Sequence, residues 1–365
     1  MPYVDAPKTQ FKVGEINPKI LIVASEANNE IIDELVSGTI DGLIKSGVLA
    51  TNIVVEKTPQ PEDIPAAIKT IISSNITTSS PLTRIYTNPI AECSYDAVVA
   101  IGALIEDQVD GDFDALSMNS YNEVLDLVVA TQVPIIMGIL TCRDYEQGLE
   151  RAGIGRVVKG ANHGYFWATA ALSEIQVRSM YCKNLSDTSI FDSFNKDVSS
   201  TTAADSSLAA ISKNKKVAIV CAQWNMEINS EIVLKLIDLL VSSGYSSYDS
   251  IFVYSAAGSF ELPGIASYLA AMSSSGLPLL DNRKSSKFDS IFCVGSLIQG
   301  GTKHFKFIGD SVDISIQKIC TLFNIKCVSG VLICTSLDEA KYHAGISVGD
   351  KPGNNIAINL FDQIN

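Results

Sequence analysis

The sequence predicts an α/β protein: two tandem three-layer sandwiches, each with a four-stranded, mainly parallel sheet flanked by helices. Three observations predict it. First, four stretches occur twice. Lys19 to Asn28 is answered by Lys216 to Asn225, and Tyr95-Asp-Ala-Val-Val-Ala-Ile-Gly102 by Phe288-Asp-Ser-Ile-Phe-Cys-Val-Gly295. Gly138-Ile-Leu-Thr-Cys142 is answered by Gly330-Val-Leu-Ile-Cys334, and Ala152-Gly153 by Ala344-Gly345. The offset stays at roughly 195 residues, too long for a solenoid period and right for a duplicated globular unit. Second, short apolar runs alternate with helical patterns in each copy, the mark of a parallel sheet covered on both faces. Third, 365 residues that are 47% apolar can fill two cores.

Each copy opens with a β-branched strand, Ile20 to Val23 or Val217 to Val220. A helix follows. In the second copy Ile228, Ile232, Leu236, Leu239 and Leu240 recur at helical spacing, and the pattern stops at Gly244. The second strand is Ile53 to Val55 or Ile251 to Tyr254, followed by a turn and another helix. The third, Ala97 to Ile101 or Ile291 to Val294, is expected to end at Gly102 or Gly295. After a further helix comes the fourth strand, Pro134 to Leu140 or Lys326 to Ile333, and one last helix closes each copy. The copies are bounded at 1–176 and 215–365. The Ser-, Thr-, Asp- and Lys-rich stretch 177–214 reads as a solvated linker, with a short amphipathic piece near Ile190-Phe191. Polar insertions are expected at Ser73 to Pro81 and Ser273 to Ser286.

Composition narrows the function. No apolar run approaches the roughly 18 residues of a membrane helix, and the first residues lack a basic and apolar leader. Cys221, Cys293, Cys327 and Cys334 lie in or beside strand-like runs and no CxxC pair occurs, which points to buried reduced thiols and no metal site. The expected location is cytoplasmic. A net charge of −13 argues against nucleic acid. The charge is uneven: residues 1–175 hold 23 acidic and 11 basic side chains, residues 176–365 hold 17 and 16. An anionic substrate is therefore better received by the second copy.

Ligands of parallel sheets sit beyond the carboxyl ends of the strands, so the loops there are where chemistry is sought. Three loops of the second copy stand out. Gln223-Trp-Asn225 follows its first strand, and Trp224 there either offers a flat face to a heteroaromatic ring or caps the core. Gly258-Ser-Phe-Glu-Leu-Pro263 follows the second strand as a tight turn, whose backbone donors either hold the polar edges of a ring or simply lead from strand to helix. Gly300-Gly-Thr-Lys-His-Phe305 follows the third, and glycines before a helix make an anion site from backbone N–H groups. His304, just inside, titrates near neutrality by type and can move protons, unless it is simply solvent-exposed.

These three loops, in this order and on these strands, resemble those of the lumazine synthase family. The resemblance covers both copies apart from the linker and the extreme N-terminus. In the first copy, Glu150-Arg-Ala-Gly153 and Asn162-His-Gly164 followed by Trp167 look like the family's C-terminal signature. The resemblance implies condensation of 5-amino-6-ribitylamino-uracil with 3,4-dihydroxy-2-butanone 4-phosphate in riboflavin biosynthesis, without a cofactor, by a homo-oligomer. It implies a site between neighbouring domains. One face would be Trp224, Asn225, Gly258, Ser259, Phe260, Glu261, Leu297, Ile298, Gly300, Gly301 and Thr302, with His304 as the catalytic proton shuttle. The other would be Arg151 for the phosphate, Met137 as an apolar lid, and His163.

The copies depart from the family in opposite ways. In the second copy the arginine position is His343, the lid position Ser329, and the usually basic residue before the glycines Gln299. In the first copy the aromatic position is Ala27, the second loop is Gln60-Pro-Glu-Asp63, and the phosphate loop is Glu106-Asp-Gln-Val-Asp-Gly-Asp112, whose carboxylates repel phosphate. A complete site is expected only where copy two abuts copy one. The alternative is a catalytically impaired shell or scaffold protein, or a lumazine or flavin binder. Family rings have five domains, and strict alternation of two kinds cannot close an odd ring. The linker does not choose, since about 38 flexible residues span roughly 35 Å.

Overall fold

A computed structural model of the chain describes residues 17–74, 94–182, 215–275 and 287–364. Copy one runs β1 (Ile20–Ser25), α1 (Asn29–Lys45), β2 (Ile53–Thr58), α2 (Ile64–Ser74), β3 (Ala97–Ile105), α3 (Phe113–Thr131), β4 (Ile135–Cys142), α4 (Tyr145–Ala152) and α5 (Gly164–Cys182). Copy two runs β5 (Val217–Ala222), α6 (Met226–Ser242), β6 (Ile251–Ala256), α7 (Leu262–Ser275), β7 (Ser290–Ile298), α8 (His304–Phe323), β8 (Lys326–Cys334), α9 (Leu337–His343) and α10 (Ala357–Asp362).

The two sheets have the same wiring, β2-β1-β3-β4 and β6-β5-β7-β8, and every pairing is parallel. Their registers correspond: Ile101 faces Gly138 in the first, and Val294 faces Gly330 in the second. Every residue of β1, β3, β4 and β5 is buried, as continuous apolar runs require when helices cover both faces. Asn28 and Asn225 each adopt the left-handed conformation before the first helix of their copy (φ 60° and 58°). Each turns its amide onto the third strand, at Ala103 O and Ser296 O.

The structure corrects several expectations. The third strands do not end at their glycines but run on to Ile105 and Ile298. The glycines serve close approach instead. A Cβ at Gly102 would lie 2.9 Å from Pro61 Cβ, and one at Gly295 would lie 2.5 Å from Ser259 Oγ. The loop after the second strand therefore rests directly on the third strand. Each copy closes with two helices rather than one. Helix α5 continues to Cys182, six residues into the stretch read as linker. Residues 183–214 and most of both polar insertions lie outside the described residues.

Among the described residues the copies share one apolar cluster, and each keeps another of its own. A single apolar cluster joins Leu125, Val128 and Ile135 of copy one to Phe260, Ile265 and Phe307 of copy two. Helix α8 packs along α3, flanked by ion pairs Lys303–Asp114 at 2.9 Å and Lys318–Asp126 at 2.6 Å. Behind them Arg178 of α5 reaches into copy two, donating to Gln132 O and Gly264 O and lying 5.4 Å from the Tyr268 ring. No described helix is long and apolar enough to cross a membrane. Among the described cysteines six are free thiols, five of them buried.

Candidate functional site

The strand ends of copy two face β4, α4 and α5 of copy one across a cleft of about 390 Å³. All fifteen residues singled out from the sequence line it, eleven of the loop residues and His304 from copy two, and Met137, Arg151 and His163 from copy one.

The copy-two wall is built by loop geometry. Asn229 fixes the first loop by donating to Ala222 O at 2.8 Å and Trp224 O at 2.7 Å. That leaves the Trp224 indole half-buried at the cleft, with its edge contact to Phe166 of copy one (centroids 6.3 Å, 71°). Asn225 lines the cleft, yet its amide is committed to Ser296 O at 3.0 Å, so it holds the loop. Gly258 sits in a tight place, since a Cβ there would lie 3.0 Å from Glu261 Oε2 and 3.2 Å from Trp224 Cδ1. Ser259 is buried over Gly295 and Phe260 is buried against Tyr121, with ring centroids 5.8 Å apart. Leu297 and Ile298 close the end of β7.

Glu261 lies on the wall, open to the cleft but remote from bulk solvent. Burial pushes its carboxyl up to about 7, against the backbone N–H groups of its own residue and Gly258 that favour the anion. Gly300 and Gly301 differ from the crowded Gly102, Gly258 and Gly295. A Cβ at Gly300 would meet nothing within 4 Å, and one at Gly301 only Gln147 Nε2 at 3.6 Å. Their backbone is open because no protein atom uses the space. With Thr302 they lead into α8, whose first amide, His304 N, donates to Thr302 Oγ1 at 3.3 Å.

From copy one, Met137 projects from β4, buried to 8% exposure. Arg151 stands in the last turn of α4, and its carbonyl accepts from His163 N at 2.9 Å. Burial first, and then the Arg151 guanidinium, lowers His304 to about 4 and His163 to about 3, so both imidazoles are neutral at pH 7.

Sequence reasoning missed the copy-one residues that meet the copy-two wall. Tyr121 of α3 is fully buried and its hydroxyl is hydrogen-bonded to His304 Nδ1. Phe166 packs on Trp224, and Gln147 reaches Gly301 O at 3.5 Å. A smaller recess of about 180 Å³ continues from Gly300 and Gly301 past Gln299, and Arg143 stands on its wall. Nothing in a single sequence marks these four, because each acts through a partner more than 50 residues away. The reverse combination of faces is degraded. Ser329 of copy two is hydrogen-bonded to Asp313 rather than apolar, and Gln60 with Asp63 of copy one forms a capping box.

Comparison with known proteins follows the same division. The family model of 6,7-dimethyl-8-ribityllumazine synthase matches twice, over residues 17–179 and 214–365. The 6,7-dimethyl-8-ribityllumazine synthases of Buchnera aphidicola subsp. Acyrthosiphon pisum, strains Tuc7 and APS, are each 29% identical over 153 residues, 42% of this chain and 87% of their own length. Among solved structures, the ABC domain in complex with L-Trp from Streptococcus pneumonia is 13% identical and covers 96% of this chain and 84% of its own. Its TM-score of 0.21 carries no argument. Most of the chain is accounted for by two successive matches to one model, each coinciding with one of the two sheets, and the protein therefore belongs to the 6,7-dimethyl-8-ribityllumazine synthase family.

Proposed function

We propose that the chain condenses 5-amino-6-ribitylamino-uracil with 3,4-dihydroxy-2-butanone 4-phosphate, at a composite site between copy two and copy one of the same chain. One observation carries this reading. The loops retained in copy two and the arginine retained in copy one line a single cleft, although they are far apart in sequence. In it Trp224 stacks on the pyrimidine, Glu261 meets the polar ribityl side, and Arg151 with the open Gly300–Gly301 backbone takes the phosphate. His304 exchanges hydrogen-bonded protons with the reactants. Met137 and Phe260 keep water from the ring. No cofactor is required by this chemistry. The whole protein is a homo-oligomer, since the reverse faces of each copy need partners.

A second reading, an impaired shell protein or a lumazine or flavin binder, draws on Phe166, whose edge already occupies part of the Trp224 surface. Incubation with both substrates, followed by lumazine fluorescence, separates the two. Fluorescence that grows with enzyme concentration supports the synthase. Binding of the pyrimidine without turnover supports the alternative.

A further inference from the structure

We infer that Tyr121, supplied by copy one, is a positioning residue that fixes the tautomer of His304, leaving the imidazole proton on Nε2 and aimed at the cleft. The inference rests on the proposed site and adds a residue to it that no family motif supplies here.

Tyr121 sits on α3 with no exposed surface. Its ring makes T-shaped contacts with Phe260 at 5.8 Å and His304 at 5.6 Å, and a tilted one with Phe307 at 6.0 Å. The phenol cannot swing to solvent, and its hydroxyl meets Nδ1 of His304. Which group donates is decided by the neighbours. Burial raises the phenol far above its ordinary value, so Tyr121 is neutral and carries one proton. Among the described residues its hydroxyl makes one hydrogen bond, to Nδ1, while the Thr141 hydroxyl is buried without a hydrogen-bond partner. A buried phenol proton needs an acceptor, and Nδ1 is the one within reach, so Tyr121 donates to His304.

His304 is neutral, so an Nδ1 that accepts leaves the ring's single proton on Nε2. Nε2 is the polar ring atom left for the cleft. The charged and titratable groups that face the ring are Arg151 and His163 of copy one and Tyr121 itself. A neutral imidazole in this state presents one N–H to the reactants, the proton that His304 exchanges with them. The device belongs to one face only. Tyr121 stands eleven residues before the helix cap Gln132, and the matching position before Asn324 in copy two is Asp313. Asp313 is engaged with Ser329, and a carboxylate there would favour a charged imidazole.

The chain has three histidines, so ring-nitrogen signals of the ¹⁵N-labelled full-length protein are readable, and the His304 pair is identified by its loss in His304→Gln. At neutral pH the wild type should show a protonated Nε2 and a bare, hydrogen-bonded Nδ1. Tyr121→Phe keeps the ring packing and should mix the two tautomers. A wild-type proton on Nδ1, or a tautomer unchanged in Tyr121→Phe, overturns the inference. Kinetics give a second reading: kcat of Tyr121→Phe should fall at least about 10-fold, as when a catalytic histidine loses its orienting partner, with KM little changed. An unchanged kcat in an active enzyme also overturns it. If the wild type makes no lumazine, the proposed activity fails, while the nitrogen signals still decide the tautomer.

Discussion

Arg151 and His343 stand at corresponding places after the fourth strands, and only Arg151 reaches the shared cleft. A guanidinium makes charge-assisted, potentially bidentate bonds to phosphate, worth about 1.5–3 kcal/mol, that a neutral imidazole cannot match. Arg151→Ala should therefore raise KM for the phosphate substrate and leave pyrimidine binding nearly intact, and His343→Ala should change neither. Steady-state kinetics with each substrate varied in turn checks this. Phosphate use harmed by His343→Ala alone would place the site between second copies. Trp224→Ala should weaken pyrimidine binding by about 1–3 kcal/mol, the usual worth of an aromatic platform. Calorimetric titration measures it, and an unchanged affinity would assign the indole to core packing. Removing His304 should slow turnover by roughly 10²-fold.

Glycines separate structural from functional roles at the level of elements. Helix α5 crosses α1 so closely that a Cβ at Gly164 would lie 2.2 Å from Leu35 O and 2.6 Å from Thr39 N. Backbone cannot retreat, so Gly164→Ala should cost about 1–3 kcal/mol in urea unfolding. Gly300 precedes α8 with no atom near its missing Cβ. Gly300→Ala should leave stability within about 0.5 kcal/mol, yet weaken phosphate use if that opening is the cradle. A neutral effect on both counts would remove the loop from the site. The ion pairs along α3 and α8 are about half exposed, so each is expected to contribute no more than about 1 kcal/mol. The apolar contact beneath them holds the copies together.

At the scale of the molecule, one chain assembles one cleft from the retained faces, and the reverse faces carry Ala27, Ser329 and the acidic loop at Glu106. A pyrimidine substrate or product analogue should therefore bind once per chain, and a stoichiometry of two would contradict the composite site. Sedimentation should report more than one chain per particle if the reverse faces pair with other chains, as proposed. The cleft also sets a pH profile. Below 6.5, the ordinary histidine value, the unfolded chain takes up protons that the half-buried His304 and His163 refuse until about 4 and about 3, so stability falls with acid. Above about 4.5 the folded chain keeps protons on Glu261 and Glu174, which burial raises to about 7 and about 8. The unfolded chain releases those protons, so stability falls as pH rises. From these four groups the thermal midpoint should be highest between about pH 4.5 and 6.5. A midpoint that climbs from there to pH 8 would mean the two carboxyls are not buried as described. Glu174→Gln should flatten the alkaline side.

The sequence by itself determined the two sheets, the order of their strands along the chain, and the residues at the strand ends, because each depends on short-range periodicity and on loop composition. β1 and β5 are read correctly from four β-branched or apolar residues apiece, and Trp224, Glu261, His304 and Arg151 line one cleft. Tertiary structure decided what faces what. Gly102 and Gly295 look like strand ends in sequence and are mid-strand contacts, because the atoms they accommodate come from Pro61 and Ser259 in another loop. Tyr121 reads as one more apolar-face residue of an amphipathic helix. Its hydroxyl acquires a role only because α3 packs on α8 and brings it to His304, 183 residues further on. Local patterns fix which face of an element is buried, but the partner of that face is chosen by shape and polarity across the whole chain, which no local window contains.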